Sequence, residues 1–410
     1  MDKGALRRRR IWTINLLVAC CLTSVFVSSA YAATGDSSAS HRSDAPRLTA
    51  QTPALLVLWG LRSEVIATAF TTNSDTSATD TSTGAVTGGL STPTLSTTST
   101  GQSETVSSSF LQGTYMGPAD PAGVKSFAAA TSTDVTIASD YLPANNGWAG
   151  MDGANGSINW LTNGWKDSGY VLSLGVPIIP TNASGAPQGS LGQGALGSYN
   201  GYFTTLANTL VAAGDGNAYL RLGWEFDGNW YAWQAQSLTA EEQYAAYFRQ
   251  IVTAMRSVQG AAFRFVWNPD AGAFSEAGYS VMSAYPGSAY VDIIGLDLYD
   301  MSWSTPATPQ NAWTSTYLPE LSAAQNFAQS EGKPIAFCEW GALIRPADHG
   351  LGDDPLYINS MIDWMKVPSH NVAYESYFNS NTLATGGGAD QNLIGVNFSN
   401  SRAAFIGGLS

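Results

Sequence analysis

The sequence predicts an α/β protein whose main domain is a (β/α)8 TIM barrel, preceded by a signal peptide and a Ser/Thr-rich linker. Three observations support this prediction. Residues 110–410 have the size of one large α/β barrel. Short apolar or β-branched runs alternate along them with helical or loop stretches, a pattern typical of parallel βα units. These runs are eight in number, as closure of the barrel requires.

The predicted strands are the short apolar runs of this domain. They cover residues 111–116, 134–138, 170–179, 219–223, 263–267, 291–296, 334–338 and 372–377. Several of these runs end in a polar or aromatic residue. Because the carboxyl ends of parallel barrel strands converge on one mouth, we expect those residues to meet there.

The sequence also predicts two helices and one loop. The spacing of Thr239 and Glu242 matches a capping box, which predicts a helix that begins there and continues through Met255. Residues 312–330 predict a second helix, in which Pro319 marks a break or a late first turn. The segment 184–201, rich in Gly, Ser and Asn, is predicted to be a loop over one face of the barrel.

The first 32 residues have the pattern of a signal peptide. A basic stretch, residues 7–10, precedes an apolar stretch, residues 11–27, and Ala30-Tyr31-Ala32 is a small-x-small cleavage site. We therefore expect secretion to the extracellular space or the periplasm. Residues 17–20 also resemble a lipobox, so a lipoprotein is the second interpretation.

Residues 33–109 are predicted to be a low-complexity linker. More than half of residues 71–109 are Ser or Thr, which leaves almost nothing to bury. A short apolar island at residues 54–59 interrupts the linker and is too short to span a bilayer. No function is assigned to this island.

The charge of the chain excludes two classes of partner. The full sequence has a formal net charge of −13, and removal of the signal peptide makes it −17. Such a chain is repelled by nucleic acid and by anionic membranes, so neither is expected as a partner. We expect a monomer, with no membrane contact after signal removal, that acts on a neutral polysaccharide.

Cysteine and histidine are scarce. Of three cysteines, two lie in the predicted signal peptide, which leaves Cys338 without a partner for an intrachain disulfide. The three histidines and three cysteines show no metal-ligand spacing. No metal or other cofactor is therefore expected.

The most informative segment is residues 218–233. A short apolar strand leads to Glu225, which is surrounded in sequence by Trp224, Trp230, Tyr231 and Trp233. An aromatic environment desolvates a carboxyl group and raises its pKa, so that it can hold a proton near neutral pH. Aromatic rings also match the apolar faces of sugar rings. A glutamate of this kind suits protonation of a glycosidic oxygen, although a salt-bridge role in an ordinary core is the alternative.

A second predicted strand ends in the same way, with Glu339 followed by Trp340. Both glutamates would then face each other across the barrel mouth. Two carboxyl groups at one mouth are the pair of groups that catalyses glycoside hydrolysis. The alternative is a pair of unrelated charged strand ends.

Other residues near these strand ends are candidates for substrate binding. Trp224 and Trp340 are candidate platforms for a sugar ring, and Asn229 is a candidate partner for a sugar hydroxyl or a cap of the following loop. Trp267 is a platform or a packing residue. Tyr299, at the end of the sixth strand, is placed to donate a hydrogen bond to a nucleophilic carboxylate.

With these motifs in this order, the chain resembles glycoside hydrolase family 26, a retaining family best known for β-mannanases. The motifs are Gly-Thr-Tyr-Met-Gly at 113–117, the segment 221–233, Phe-Val-Trp-Asn-Pro at 265–269, the segment 291–299 and Cys-Glu-Trp-Gly at 338–341. The resemblance covers about residues 110–400 and implies a (β/α)8 barrel that cleaves β-linked polysaccharide by double displacement.

The resemblance also implies individual roles. Glu225 would be the acid/base and Glu339 the nucleophile, with Tyr299 supporting the nucleophile and Trp230 and Trp233 shaping the subsites. Typical mannanases of the family carry His directly before the acid/base, whereas this chain has Trp224. That departure favours a divergent member that acts on another β-glycan. We predict endo action; the alternatives are a non-catalytic carbohydrate-binding barrel and a transglycosylase.

Overall fold

The structure, a computed structural model, describes residues 110–275, 280–346, 349–383 and 388–409. Within these residues eight parallel strands close into a barrel in the order of the chain, with the first strand paired to the eighth. The predicted (β/α)8 barrel is therefore confirmed. The predicted signal peptide at 1–32 and linker at 33–109 lie outside the described residues.

The strands are short and parallel. Their bounds are β1 Leu111–Tyr115, β2 Val135–Tyr141, β3 Val171–Val176, β4 Tyr219–Leu222, β5 Arg264–Trp267, β6 Ile293–Tyr299, β7 Ile335–Gly341 and β8 Val372–Phe378. Each corresponds to a predicted strand. However, β2, β6 and β7 run three residues past their predicted ends. Most of the added residues are polar or aromatic, and pairing with neighbouring strands rather than apolar character keeps them extended.

Helices surround the barrel. Their bounds are α1 Pro121–Thr131, α2 Gly147–Met151, α3 Asn159–Trp165, α4 Leu191–Ala195, α5 Asn200–Ala213, α6 Leu238–Arg256, α7 Pro309–Ala312, α8 Leu318–Glu331, α9 Pro355–Met365 and α10 Ser399–Leu409. None of the helices in the described part of the chain combines the length and apolar character needed to cross a membrane.

Helix α6 confirms the predicted helix but not its predicted cap. The side chain of Ser237, two residues before Thr239, accepts a hydrogen bond from the amide of Ala240 and closes the amino end. The apolar face of this helix is fully buried. It consists of Tyr244, Tyr247, Phe248, Ile251 and Met255.

Two other helical predictions need adjustment. The predicted loop at 184–201 contains α4 and the first residues of α5, because Ser190 caps a helical turn there by accepting from the amide of Gln193. The predicted helix at 312–330 is confirmed as three joined pieces. A π-helical turn, Trp313–Tyr317, separates α7 from α8, and Pro319 lies in the first turn of α8.

The amino-terminal half of the barrel interior is filled with side chains. Its cluster consists of Ile137, Tyr219, Val266, Ile293, Ala336, Cys338 and Tyr374. Cys338 is a buried free thiol, and burial raises its pKa to about 12, so it is inert packing. At the opposite end of the strands the interior carries charged and hydroxyl groups instead.

Candidate active site at the barrel mouth

Glu339 lies at the carboxyl end of β7 and accepts three side-chain hydrogen bonds. Its Oε1 accepts from the hydroxyl of Tyr141 at 2.6 Å and from Nη2 of Arg221 at 2.5 Å. Its Oε2 accepts from the hydroxyl of Tyr299 at 2.8 Å. Donors from β2, β4 and β6 thus hold both oxygens, and they orient a carboxylate that is 7% exposed.

A β-bulge in β7 aims Glu339 into the barrel. Leu296 of β6 pairs with Phe337, but the next residue, Asp297, pairs with Glu339, so Cys338 is extra. Strand alternation alone would place Cys338 and Glu339 on opposite faces, with Trp340 facing inward. The bulge turns Glu339 toward the mouth and sends Trp340 outward.

Glu225 lies just beyond the end of β4 in a strained conformation. Its φ is +49°, in the left-handed region that a residue with a side chain rarely occupies. Its amide donates to the carbonyl of Asn268 at 2.8 Å, and its Oε2 accepts from Nε1 of Trp230 at 2.9 Å. These contacts fix a turn that directs the carboxyl group, 4% exposed, toward Glu339.

Three carboxyl groups meet at this point. Glu225, Asp297 and Glu339 each contribute one oxygen to a group whose members lie within 4.8 Å of one another. Burial raises the pKa of Glu225 well above its ordinary value, and the charge of Glu339 raises it further. Burial and Glu339 also raise the pKa of Asp297, although Arg221 acts in the opposite direction.

Arg221 links these groups from the middle of the barrel. It is fully buried on β4, with Nη2 contacting Asp297 at 3.0 Å as well as Glu339. Its Nε donates to Oδ1 of Asn268 at 2.7 Å, and its Nη1 donates to the hydroxyl of Tyr141 at 3.2 Å. One guanidinium thus fixes two carboxyl groups and balances part of their charge.

The same three carboxyl groups form the set of described residues that has the geometry to hold a metal ion. However, Arg221 already contacts two of them, and a cation added there would sit against a guanidinium. The residues therefore fit a metal poorly. That the protein needs no metal or cofactor stays a prediction.

Of the predicted binding residues, three stand at the mouth. Trp230 is half-buried beside Glu225, Asn229 precedes it with a partly exposed side chain, and Tyr299 contacts Glu339. A substrate that reaches the two glutamates would pass these side chains. Their predicted roles in binding remain proposals.

The other four predicted binding residues are buried. Trp224 is 4% exposed, and Trp233, Trp267 and Trp340 are at most 1% exposed. The indole nitrogens of the last three donate to Trp224 O, Ala284 O and Glu375 Oε2 respectively. Because these three residues offer no open face to a sugar, we correct their predicted substrate contact to a packing role. The predicted sugar contact of Trp224 is wrong for the same reason.

Sequence reasoning missed Tyr141 and Arg221 as site residues. Tyr141 ends β2 beyond the predicted strand boundary, and Arg221 lies inside an apolar strand. A signal for Arg221 was present, because an arginine in a fully buried strand requires a buried acidic partner. No signal in the sequence identified that partner.

Comparison with known proteins shows that part of the chain matches a known family. Residues 205–324 match the model of glycosyl hydrolase family 26. A mannan endo-1,4-beta-mannosidase of Bifidobacterium adolescentis is 28% identical over 173 residues, 41% of this chain and 16% of that protein. Endoglucanase H of Acetivibrio thermocellus is 30% identical over 149 residues, 36% of this chain and 16% of that protein.

Among solved structures, a double mutant of a Cellulomonas fimi endo-beta-1,4-mannanase resembles this chain. The TM-score is 0.53 at 20% identity, covering 73% of this chain and 71% of that one, which shows a shared fold. The matched part of this chain spans only 16% of the length of each curated relative named above. With the family match over residues 205–324 and the shared fold together, the chain is similar to glycosyl hydrolase family 26.

Proposed function

We propose that this protein is a retaining glycoside hydrolase that cleaves a β-linked polysaccharide. The observation that carries the proposal is the pair Glu225 and Glu339, whose nearest oxygens lie within 4.8 Å at one mouth. Retaining enzymes hold their two carboxyl groups about 5–5.5 Å apart, whereas inverting enzymes need about 6.5–9.5 Å to admit a water. The short separation favours double displacement.

In the proposed mechanism Glu339 is the nucleophile. Its carboxylate attacks the anomeric carbon while the glycosidic bond breaks, and a covalent glycosyl-enzyme forms. Tyr141, Arg221 and Tyr299 orient the attacking oxygens. Because all three are donors, they suit a group that enters the reaction ionised.

Glu225 is the proposed acid/base. Burial raises its pKa, so the carboxyl group holds the proton that the leaving oxygen requires. In the second step Glu225 takes a proton from the water that attacks the glycosyl-enzyme, and Glu339 is released as a carboxylate. The sugar then leaves with its original anomeric configuration.

The proposed substrate is a neutral β-glycan that the enzyme cleaves internally. The acidic sequence disfavours an acidic polymer, and the similar proteins are named for endo cleavage of mannan and for endoglucanase action. Trp224 stands directly before Glu225, where typical mannanases have His, so we propose a substrate beyond mannan alone. Export by the predicted signal peptide would place the enzyme with such polymers.

A reducing-sugar assay on mannan, mixed-linkage and other β-glucans, xylan and bacterial exopolysaccharides tests the proposal. We expect turnover of at least one polymer, with the β-anomer appearing first in proton NMR. Chromatography of the products separates hydrolysis, which gives only shorter chains, from transglycosylation, which also gives longer ones. Binding without turnover of any polymer, or initial release of the α-anomer, would contradict the proposal.

A further inference from the structure

Trp224 is enclosed by aromatic rings. Its ring centroid lies 5.3 Å from that of Tyr141, 4.8 Å from Tyr231 and 4.9 Å from Trp233. With 4% of its surface exposed, it has no face free for a sugar. We infer that Trp224 is a positioning residue that orients the nucleophile Glu339 through Tyr141, an inference that rests on the proposed function.

Three residues at one level of the barrel create the space for this contact. Tyr141 on β2 pairs with Gly175 on β3, which pairs in turn with Arg221 on β4. A Cβ at Gly175 would lie 2.5 Å from Cδ1 of Tyr141 and 3.3 Å from Cε3 of Trp224. Because Gly175 has no side chain, the Tyr141 ring occupies the space above it, and Trp224 packs against that ring.

This packing determines where the Tyr141 hydroxyl lies. From the space above Gly175 it reaches Oε1 of Glu339 at 2.6 Å and Nη1 of Arg221 at 3.2 Å. The guanidinium carbon of Arg221 lies 5.4 Å from the Tyr141 ring centre and 6.0 Å from the Trp224 ring centre. Removal of the Trp224 ring leaves Tyr141 free to rotate away, which loosens one of the three bonds that orient Glu339.

Two opposite substitutions test the inference. Trp224→Leu removes the support of the Tyr141 ring, and Gly175→Ala pushes that ring from its other side. Gly175 has no positive φ, so alanine is conformationally allowed there and acts by contact. Trp224→Phe keeps an aromatic ring and should restore most of the loss. Trp364→Leu on α9, a tryptophan 7% exposed that packs on Phe337 and His370, is the matched control.

The kinetic arm uses 2,4-dinitrophenyl β-mannobioside and β-cellobioside. These leaving groups need no proton, so a defect at Glu225 does not slow formation of the glycosyl-enzyme, whereas a defect at Glu339 does. We expect Trp224→Leu and Gly175→Ala to lower the pre-steady-state rate of glycosyl-enzyme formation about 10- to 100-fold with little change in KM, and to add nothing in a Tyr141→Phe background. A raised KM, or losses that multiply with Tyr141→Phe, would overturn the inference.

The second arm does not depend on activity. Tyrosine labelled with 13C at Cζ gives a resonance for Tyr141, assigned by its absence in Tyr141→Phe. We expect this resonance to move in Trp224→Leu and Gly175→Ala and to stay in place in Trp364→Leu. An unmoved resonance in the first two folded variants refutes the inference. If the wild type cleaves no glycoside, the proposed function fails, and this arm still decides whether Trp224 positions Tyr141.

Discussion

Glu225 and Glu339 occupy the same mouth, but their surroundings differ. Glu225 itself adopts the strained left-handed conformation, its carboxyl group accepts a hydrogen bond from an indole, and burial raises the pKa of that group. Glu339 follows a bulge and accepts three hydrogen bonds, one of them from a guanidinium. Two identical side chains therefore suit opposite roles, because one is kept protonated and the other is held and charge-balanced.

The largest effect should come from removing the carboxylate of Glu339, which accepts three hydrogen bonds. Glu339→Ala deletes the proposed nucleophile, so we expect activity on polysaccharide to fall by several orders of magnitude. Azide should partly restore cleavage of a dinitrophenyl glycoside and form the α-glycosyl azide. Glu375→Gln, a buried glutamate of β8 that bonds Trp340 and the amide of Gly113, is the control. Normal activity of Glu339→Ala would show that the assignment is wrong.

Removal of the other carboxyl group should produce a loss that depends on the leaving group. We expect Glu225→Ala to lose about 10²- to 10⁴-fold on polysaccharide, where the leaving oxygen needs a proton. Formation of the glycosyl-enzyme from a dinitrophenyl glycoside should be little affected, and azide should give the β-glycosyl azide. Steady-state and burst kinetics on both substrates measure this difference. An equal loss on both would indicate that Glu225 is not the acid.

Among the residues around Glu339, we expect Arg221 to contribute most to the free energy of unfolding. In Arg221→Met, Asp297 loses its buried cation, which typically costs about 3–5 kcal/mol of unfolding free energy. Arg256→Met is the matched control, because the ion pair of Arg256 with Asp292 is partly exposed and should contribute no more than about 1 kcal/mol. Urea denaturation of both variants compares them. Equal losses of unfolding free energy would mean that the buried ion pair stabilises the protein no more than the partly exposed pair does.

The smallest effect concerns Trp230, whose indole donates to Glu225. The indole of Trp230 lowers the pKa of this carboxyl group, so Trp230→Phe should raise the pKa further. A proposed acid works while protonated, so activity is lost as pH rises through its pKa. The basic limb of the kcat/KM profile should therefore move to higher pH in Trp230→Phe and stay unchanged in Trp364→Phe. A move to lower pH would contradict the prediction.

The strand ends show how far prediction from sequence could go. Apolar runs located all eight strands, and the Glu-Trp pairs identified Glu225 and Glu339. The same reasoning ended β2, β6 and β7 three residues early, which hid Tyr141. Apolar periodicity cannot detect strand residues whose extension depends on pairing with a neighbour.

The aromatic residues show the opposite error. A position near a strand end suggested that Trp267 and Trp340 bind substrate, and the family resemblance implied a subsite role for Trp233, but all three pack in the core. For Trp340 the bulge at Cys338 reverses the side to which it points. A bulge depends on register between strands that lie far apart in the chain, so local sequence does not reveal it.

By itself, the sequence determined the barrel, since alternating apolar runs and amphipathic helices have few other ways to bury their surfaces. It also determined which two glutamates follow the strands. Only the tertiary structure decided that Tyr141, Arg221 and Tyr299 converge on Glu339 while Glu225 stays with one donor. Desolvation and hydrogen bonding depend on groups brought together from separate strands, and those distances exist only once the barrel has closed.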